Sequence, residues 1–167
     1  MFIPVEVVGV RIEMPSNQPI VLLKEIEGTR FLPIWVGAVE ATAIAFAQQG
    51  LQAPRPLTHD LIRDLLDRVD ITLTSVHITK IESGVFFAEM QLRSAEGALE
   101  PLSVRPSDAI AIALRTKSNI LVENELLDSA GIDIPEQVAS GERAVGDQEL
   151  EAFREFLEGI NPEDFAG

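Results

Sequence analysis

Cysteine and tyrosine are absent from this chain, tryptophan occurs once and histidine twice. Without thiols there is no disulfide framework, no cysteine nucleophile and no cysteine-based zinc site, although that absence says little about compartment. His59 and His77 do not form a histidine pair at metal-binding spacing. The Walker-type phosphate loop, the dinucleotide fingerprint and the nucleophile elbow are missing as well. Long apolar runs are also lacking. The most apolar segment, 38–47, is interrupted by Glu40 and Thr42 and falls short of the roughly 20 residues a membrane span requires. The opening residues show neither a basic leader nor a small-residue cleavage site, so the expected location is the cytoplasm, with no membrane partner.

Basic residues are scarce: 13 Lys and Arg stand against 27 Asp and Glu, a formal charge of −14. Such a balance opposes nucleic-acid binding, which rests on a basic surface. The acidity is concentrated, however. From Glu123 to Gly167 there are 13 acidic residues against Arg143 and Arg154, whereas residues 1–122 carry 14 acidic and 11 basic groups, a balance of only −3. The body is near neutral and can hold a local cationic groove.

A chain of 167 residues with 46% hydrophobic content suits one domain with one core. The Val- and Ile-rich stretch from Ile3 to Glu13 predicts a strand, and Ile20 to Lys24 with Arg30 to Val36 predict a hairpin in which Gly28 is available for a positive φ. After Gly37 comes an alanine-rich helix ending near Gly50, apolar nearly all round and therefore expected to be buried. Thr58 is a suitable N-cap for a second helix, whose Leu61, Ile62, Leu65, Leu66 and Val69 form one stripe. Ile71 to Ile81 and Val85 to Arg93 predict strands joined through Glu82, Ser83 and Gly84. In the second of these, Phe86, Ala88, Met90 and Leu92 alternate inward. A strand from Leu99 to Val104, a helix from about Ser107 to Arg115, a short strand Ile120 to Val122 and a helical turn closing at Gly131 complete the pattern. Helices interspersed with antiparallel meanders indicate an α+β fold with an antiparallel or mixed twisted sheet. The domain is expected to end near residue 135. A linker at 136–146 and an acidic amphipathic helix and tail at 147–167, with Leu150, Phe153, Leu157 and Ile160 on one stripe, follow.

Three predicted helices each carry a carboxylate in the first turn: Glu40, Asp60 and Asp108. Helix dipoles favour acids there by about 0.3–1 kcal/mol, which is explanation enough for an exposed helix. The helices of Glu40 and Asp108 are otherwise almost wholly apolar, so these charges sit at the margins of buried elements and need partners. Arg105 and Arg115 are candidates for Asp108. Alternatively, the carboxylates could hold Mg²⁺ or Mn²⁺, which clamps a phosphodiester and acidifies an attacking water. The stretch Pro54-Arg55-Pro56-Leu57-Thr58-His59-Asp60 places a cation, an imidazole and a carboxylate in a loop stiffened by two prolines. Such a loop either pins the entry to a helix or holds a catalytic group rigidly.

Leu32-Pro33-Ile34-Trp35-Val36-Gly37 with Glu40-Ala41, the Pro54–Asp60 stretch, Phe86-Phe87-Ala88 and Arg105-Pro106-Ser107-Asp108-Ala109-Ile110-Ala111-Ile112-Ala113 resemble the bifunctional nuclease domain family in order and spacing. The segment from Phe153 to Phe165 is similar to the tail of actinobacterial members. The resemblance implies a wedge-shaped α+β domain, a homodimer with a groove as active site, and hydrolysis of DNA or RNA. It marks Glu40, Arg55, His59, Asp60, Arg105 and Asp108 as the polar motif positions. On the working assignment Glu40, Asp60 and Asp108 are metal ligands or general bases, His59 moves a proton, and Arg55 and Arg105 contact phosphate. Ser103 departs from the family pattern, in which many members have an acid two positions before the arginine. The alternative function is a non-catalytic module that binds a ligand or protein, or an oligomeric scaffold.

Truncation after Ser140 is expected to leave a soluble core with one cooperative unfolding transition. Calorimetry of the shortened chain checks this; loss of the transition would show that the Phe153 and Leu157 stripe completes the main core.

Overall fold

A computed structural model of the chain describes residues 1–133. The expected linker and acidic C-terminal helix, 136–167, lie outside the described residues. Strands β1 (Phe2–Glu13), β2 (Gln18–Glu25) and β3 (Arg30–Trp35) form a meander, followed by helices α1 (Ala38–Gln48) and α2 (Thr58–Arg68). Then come β4 (Thr72–Glu82), β5 (Val85–Ser94), β6 (Gly97–Ala98), β7 (Leu102–Val104), α3 (Pro106–Thr116), β8 (Asn119–Glu123), α4 (Asn124–Ala130) and β9 (Ile132–Asp133). They build one mixed sheet in the order β6-β5-β4-β8-β1-β2-β3-β9, with β7 paired to β5. This is the expected α+β class.

The sheet is mixed because of α3. Having paired antiparallel with β5, the chain leaves β7, crosses through α3 and returns as β8, which lies parallel to β4 and antiparallel to β1. A parallel neighbour requires such a crossover. The helix can lie directly on the sheet because its residues are small or apolar: Pro106, Ser107 and Ala109 through Ala113 are all buried. Val76 and Ile78 on β4, Ala88 and Met90 on β5 and Val122 on β8 join them in the core. α1 packs on β1, β2 and α3, and α2 packs on α3 and β4.

Local sequence explains the turns. Ser83 and Gly84 both take positive φ, 50° and 78°, the pattern of a two-residue type I′ hairpin between β4 and β5. At the end of α4, a Cβ on Gly131 would stand 2.2 Å from the Leu127 carbonyl oxygen, so glycine is required there. Gly28 is not among the positive-φ residues.

Four expectations are corrected. α1 is not buried all round: Ala41, Ala43 and Ile44 face the core, but Val39 is 77% exposed. Its apolar wheel is wider than the surface available to cover it. On α2 only part of the apolar stripe is covered, since Ile62 and Leu66 pack on the core while Leu61, Leu65 and Val69 stay more than half exposed. Thr58 is the first helical residue rather than the cap; Leu57 occupies the cap position, and Asp60 Oδ2 accepts its backbone N–H at 2.9 Å. The strand expected from Leu99 begins only at Leu102, after Pro101, which has no N–H for a ladder. Among the described residues no helix is long and apolar enough to cross a membrane.

Burial separates two substitutions sharply. Ile110→Ala, at a fully buried position of α3, is expected to cost about 2–5 kcal/mol, whereas Leu61→Ala on the exposed flank of α2 should stay within about 0.5 kcal/mol. Equilibrium denaturation of the two variants checks the assignment of core and surface.

Candidate functional site

The first turns of α1, α2 and α3 meet at one corner of the molecule. Glu40 is the third residue of α1, His59 the second of α2 and Asp108 the third of α3. Arg105, the N-cap of α3, ties them together. Its Nε donates to Asp108 Oδ2 at 2.6 Å and its Nη2 donates to Glu40 Oε1 at 3.0 Å. The other Asp108 oxygen, Oδ1, lies 2.9 Å from His59 Nε2. The result is a continuous chain, Glu40–Arg105–Asp108–His59, assembled from three helices.

Its members differ in access to solvent. The His59 side chain is 7% exposed and that of Arg105 58%. Burial alone would raise the Asp108 carboxyl, but the hydrogen bonds and charges of Arg105 and His59 outweigh it and hold the group below the usual aspartate range. The hydrogen bond and charge of Asp108, with Glu40 adding to them, hold the Arg105 guanidinium above its usual value against the desolvation that opposes it. An ionised Asp108 can only accept, so His59 Nε2 carries the hydrogen. That leaves Nδ1 as the imidazole's basic nitrogen whenever the ring is neutral. Nδ1 has no partner among the described residues, and no buried side-chain nitrogen or oxygen there is unpartnered, so Nδ1 keeps contact with solvent.

A second ion pair pins the same helix entry from inside. Arg115, whose side chain is 5% exposed, donates from Nε to Asp60 Oδ1 at 2.7 Å and from Nη1 to the Ala111 carbonyl at 2.8 Å. Burial pushes the Asp60 carboxyl up, but the Leu57 N–H and Arg115 overcome it and the net shift is downward. Arg115 therefore serves Asp60 and not Asp108, although it shares a helical face with Asp108. Seven residues of helix separate the two by roughly 10 Å, and Asp108 is already satisfied by Arg105 and His59. Arg55, expected to contact phosphate, is exposed and makes no ion pair among the described residues.

All six motif residues are thus placed: Glu40, Arg105, Asp108 and His59 in one network, Asp60 with Arg115 in another, and Arg55 in neither, in the loop leading to both. The chain belongs to the bifunctional nuclease domain family. The family model, described as the bifunctional nuclease domain, matches residues 21–135. An uncharacterized protein of Mycobacterium tuberculosis is 47% identical over 163 residues, covering 96% of each chain. Bifunctional nuclease 1 of Arabidopsis thaliana is 32% identical over 124 residues, 72% of this chain and 38% of the plant protein. The bifunctional nuclease 1 of Oryza sativa subsp. indica is 26% identical over 134 residues, again matching only 40% of its own length.

The departure at Ser103 has a local counterpart within this family fold. Ser103 pairs across the sheet with Glu89 on β5, so an acid at 103 would oppose a like charge, which destabilises a strand pair. The donor set also bears on the Mg²⁺ or Mn²⁺ expected from the sequence. Among the described residues no group of three or more histidine and carboxylate side chains is arranged to hold a metal. Glu40 and Asp108 share a guanidinium, and both oxygens of Asp60 are engaged by Arg115 and Leu57. In this arrangement the residues do not fit a chelated divalent ion.

Breaking the inner pair is expected to be costly. Arg115→Met leaves Asp60 partly buried without its cation and should lose about 3–5 kcal/mol of stability. Asp60 and Asp108 both have carboxyl groups held below their ordinary 3.8 in the fold, so their stabilisation is full above that value and is lost as pH falls through the lowered values. Asp60→Asn should therefore be less stable than wild type at pH 7, with the gap closing as pH falls below 3.8. Denaturation curves across that range check the sign.

Proposed function

We propose that this chain hydrolyses phosphodiester bonds of DNA or RNA at the Glu40–Arg105–Asp108–His59 corner. The observation that carries the reading is the 2.9 Å contact between His59 Nε2 and Asp108 Oδ1, which orients the ring and leaves Nδ1 to take a proton. Water would attack phosphorus as His59 Nδ1 removes its proton; the P–O ester bond breaks and the departing oxygen is protonated from solvent. Arg105, the exposed member of the network, supplies charge to the phosphate oxygens, and Glu40 fixes its direction. Arg55 is a second phosphate contact from the loop. Family membership and the names of the plant relatives support this chemistry.

The homodimer implied by the family resemblance and a cytoplasmic location belong to the same proposal. The exposed apolar side chains on α1 and α2, Val39, Leu61 and Leu65, support self-association. Light scattering at micromolar concentration should give twice the monomer mass; a monomeric mass removes the paired groove. A second reading, that the network only pins helices in a binding module or scaffold, is favoured by the near-complete burial of His59.

The two readings separate on variants. His59→Gln is expected to keep its thermal stability close to wild type and to lose turnover by about 10²–10⁴-fold. Arg105→Gln should lose turnover and bind substrate more weakly. Assays run with Mg²⁺, with Mn²⁺ and with chelator, on chains purified identically, show whether a cation participates; a strict requirement would mean that Arg105 releases Glu40 and Asp108 to the ion. If His59→Gln, Arg105→Gln and Asp108→Asn all fold and cleave like wild type, this corner is not the active site; if identically purified wild type cleaves nothing, the nuclease reading is wrong and the binding module stands.

A further inference from the structure

Beside the helix corner, but not part of it, lies a cavity of about 300 Å³. It opens between the end of α1, the loop that follows it, the first turns of α2 and the end of α3. Its lining includes the apolar side chains of Leu51, Pro56 and Leu114 and the charged ones of Arg63, Arg115 and Asp60. None of Glu40, His59, Arg105 and Asp108 lines it.

The hydrogen bonds around this cavity leave cationic donors over. Asp60 is spent, with Oδ1 on Arg115 and Oδ2 on the Leu57 N–H. Arg115 uses Nε and Nη1 and keeps Nη2; Arg63 gives Nε and Nη2 to Asp64 and keeps Nη1. Since no buried side-chain nitrogen among the described residues lacks a partner, these two nitrogens touch solvent, and both side chains line the cavity; the charges of Asp64, Asp60 and Asp67 also act on Arg63. Arg115 is held rigid by its burial and its two existing bonds, so its remaining N–H group is preorganised. A guanidinium fork with free N–H groups suits phosphate oxygens, and the apolar side chains in the same lining suit a flat ring. The volume lies at the lower end of the range for small-molecule pockets.

We propose that this cavity binds one nucleotide unit, with its phosphate on Arg115 and Arg63 and its base against Leu51, Pro56 and Leu114. The inference deepens the proposed nuclease reading by giving the substrate a second anchor. His59 and Asp60 are consecutive on α2, and Asp108 and Arg115 are roughly 10 Å apart along α3, so a strand held here runs on towards the His59 corner. Asp64 competes with the phosphate for Arg63.

The test is equilibrium binding of adenosine 5′-monophosphate to the full chain by calorimetry, with adenosine and inorganic phosphate as companion titrants. Wild type should bind the nucleotide saturably and adenosine at least about tenfold more weakly, because a charge-assisted hydrogen bond is lost. Arg63→Gln should weaken the nucleotide by about tenfold, Ala47→Phe should abolish binding by filling the cavity, and Asp64→Asn should tighten it by freeing Arg63. Thermal melts confirm that each variant is folded. No saturable binding at millimolar nucleotide, or unchanged affinity in Ala47→Phe, overturns the proposal; equal affinity for adenosine overturns the phosphate assignment. No cleavage is needed for this readout, so binding by a chain that hydrolyses nothing would leave the cavity site standing and sink only the nuclease reading.

Discussion

A helix whose middle is buried on every side can carry charge only towards its ends, and α3 is such a helix. Its middle, Ala109 to Ala113, is fully enclosed between the sheet and the two flanking helices, so Asp108 and Arg115 sit where the chain passes from core to surface. A charge at that boundary is desolvated and must be paired. Asp108 is paired by Arg105 and His59, and Arg115 by Asp60, so both ends of α3 are bound to the start of α2. Arg105 extends the tie to Glu40 on α1. The packing of one apolar helix thus dictates that three helix N-termini and six polar side chains meet in one region.

The same constraint accounts for the electrostatics. In Asp60 and Asp108 the penalty of burial is real but is outweighed by guanidinium partners and, for Asp60, a backbone N–H, so both stay ionised at neutral pH. An Asp108 ionised at neutral pH fixes the hydrogen on His59 Nε2, and this leaves Nδ1 as the nitrogen without one whenever the ring is neutral. Charge on the whole chain is a poor guide to this corner, because what a phosphate would meet is the exposed Arg105 and Arg55 rather than the average of the molecule.

Much of the fold was readable from local pattern. Strand alternation in β5 and the turn at Ser83-Gly84 that joins it to β4 depend on neighbours within a few residues, and both lie where local pattern puts them. The exposure of Val39, Leu61 and Leu65 did not, since a helical wheel reports which side is apolar and not how much surface exists to cover it. The site was half legible. Glu40, His59 and Asp108 stood out as polar groups at the starts of apolar or pinned helices, but 49 residues separate His59 from Asp108, and only tertiary packing joins them. Arg115 was noticed and given the wrong carboxylate, because shared helical face says nothing about reach. Asp60, grouped with the other acids by position, belongs with Arg115 beneath the helix entry.

With only two histidines in the chain, His59 can be observed directly. His77 is an internal control: it sits on β4, alternating away from core residues Val76 and Ile78, with its ring 4.2 Å from that of Phe2. Histidine-labelled protein titrated with a short oligonucleotide whose backbone resists cleavage gives two sets of ring ¹⁵N resonances to follow by NMR. A catalytic corner predicts that the His59 signals shift saturably while those of His77 stay in place, and that Arg105→Gln weakens the response. Unmoved His59 signals at saturating oligonucleotide would contradict it and leave the Glu40–Arg105–Asp108–His59 network as a device that only holds helices together.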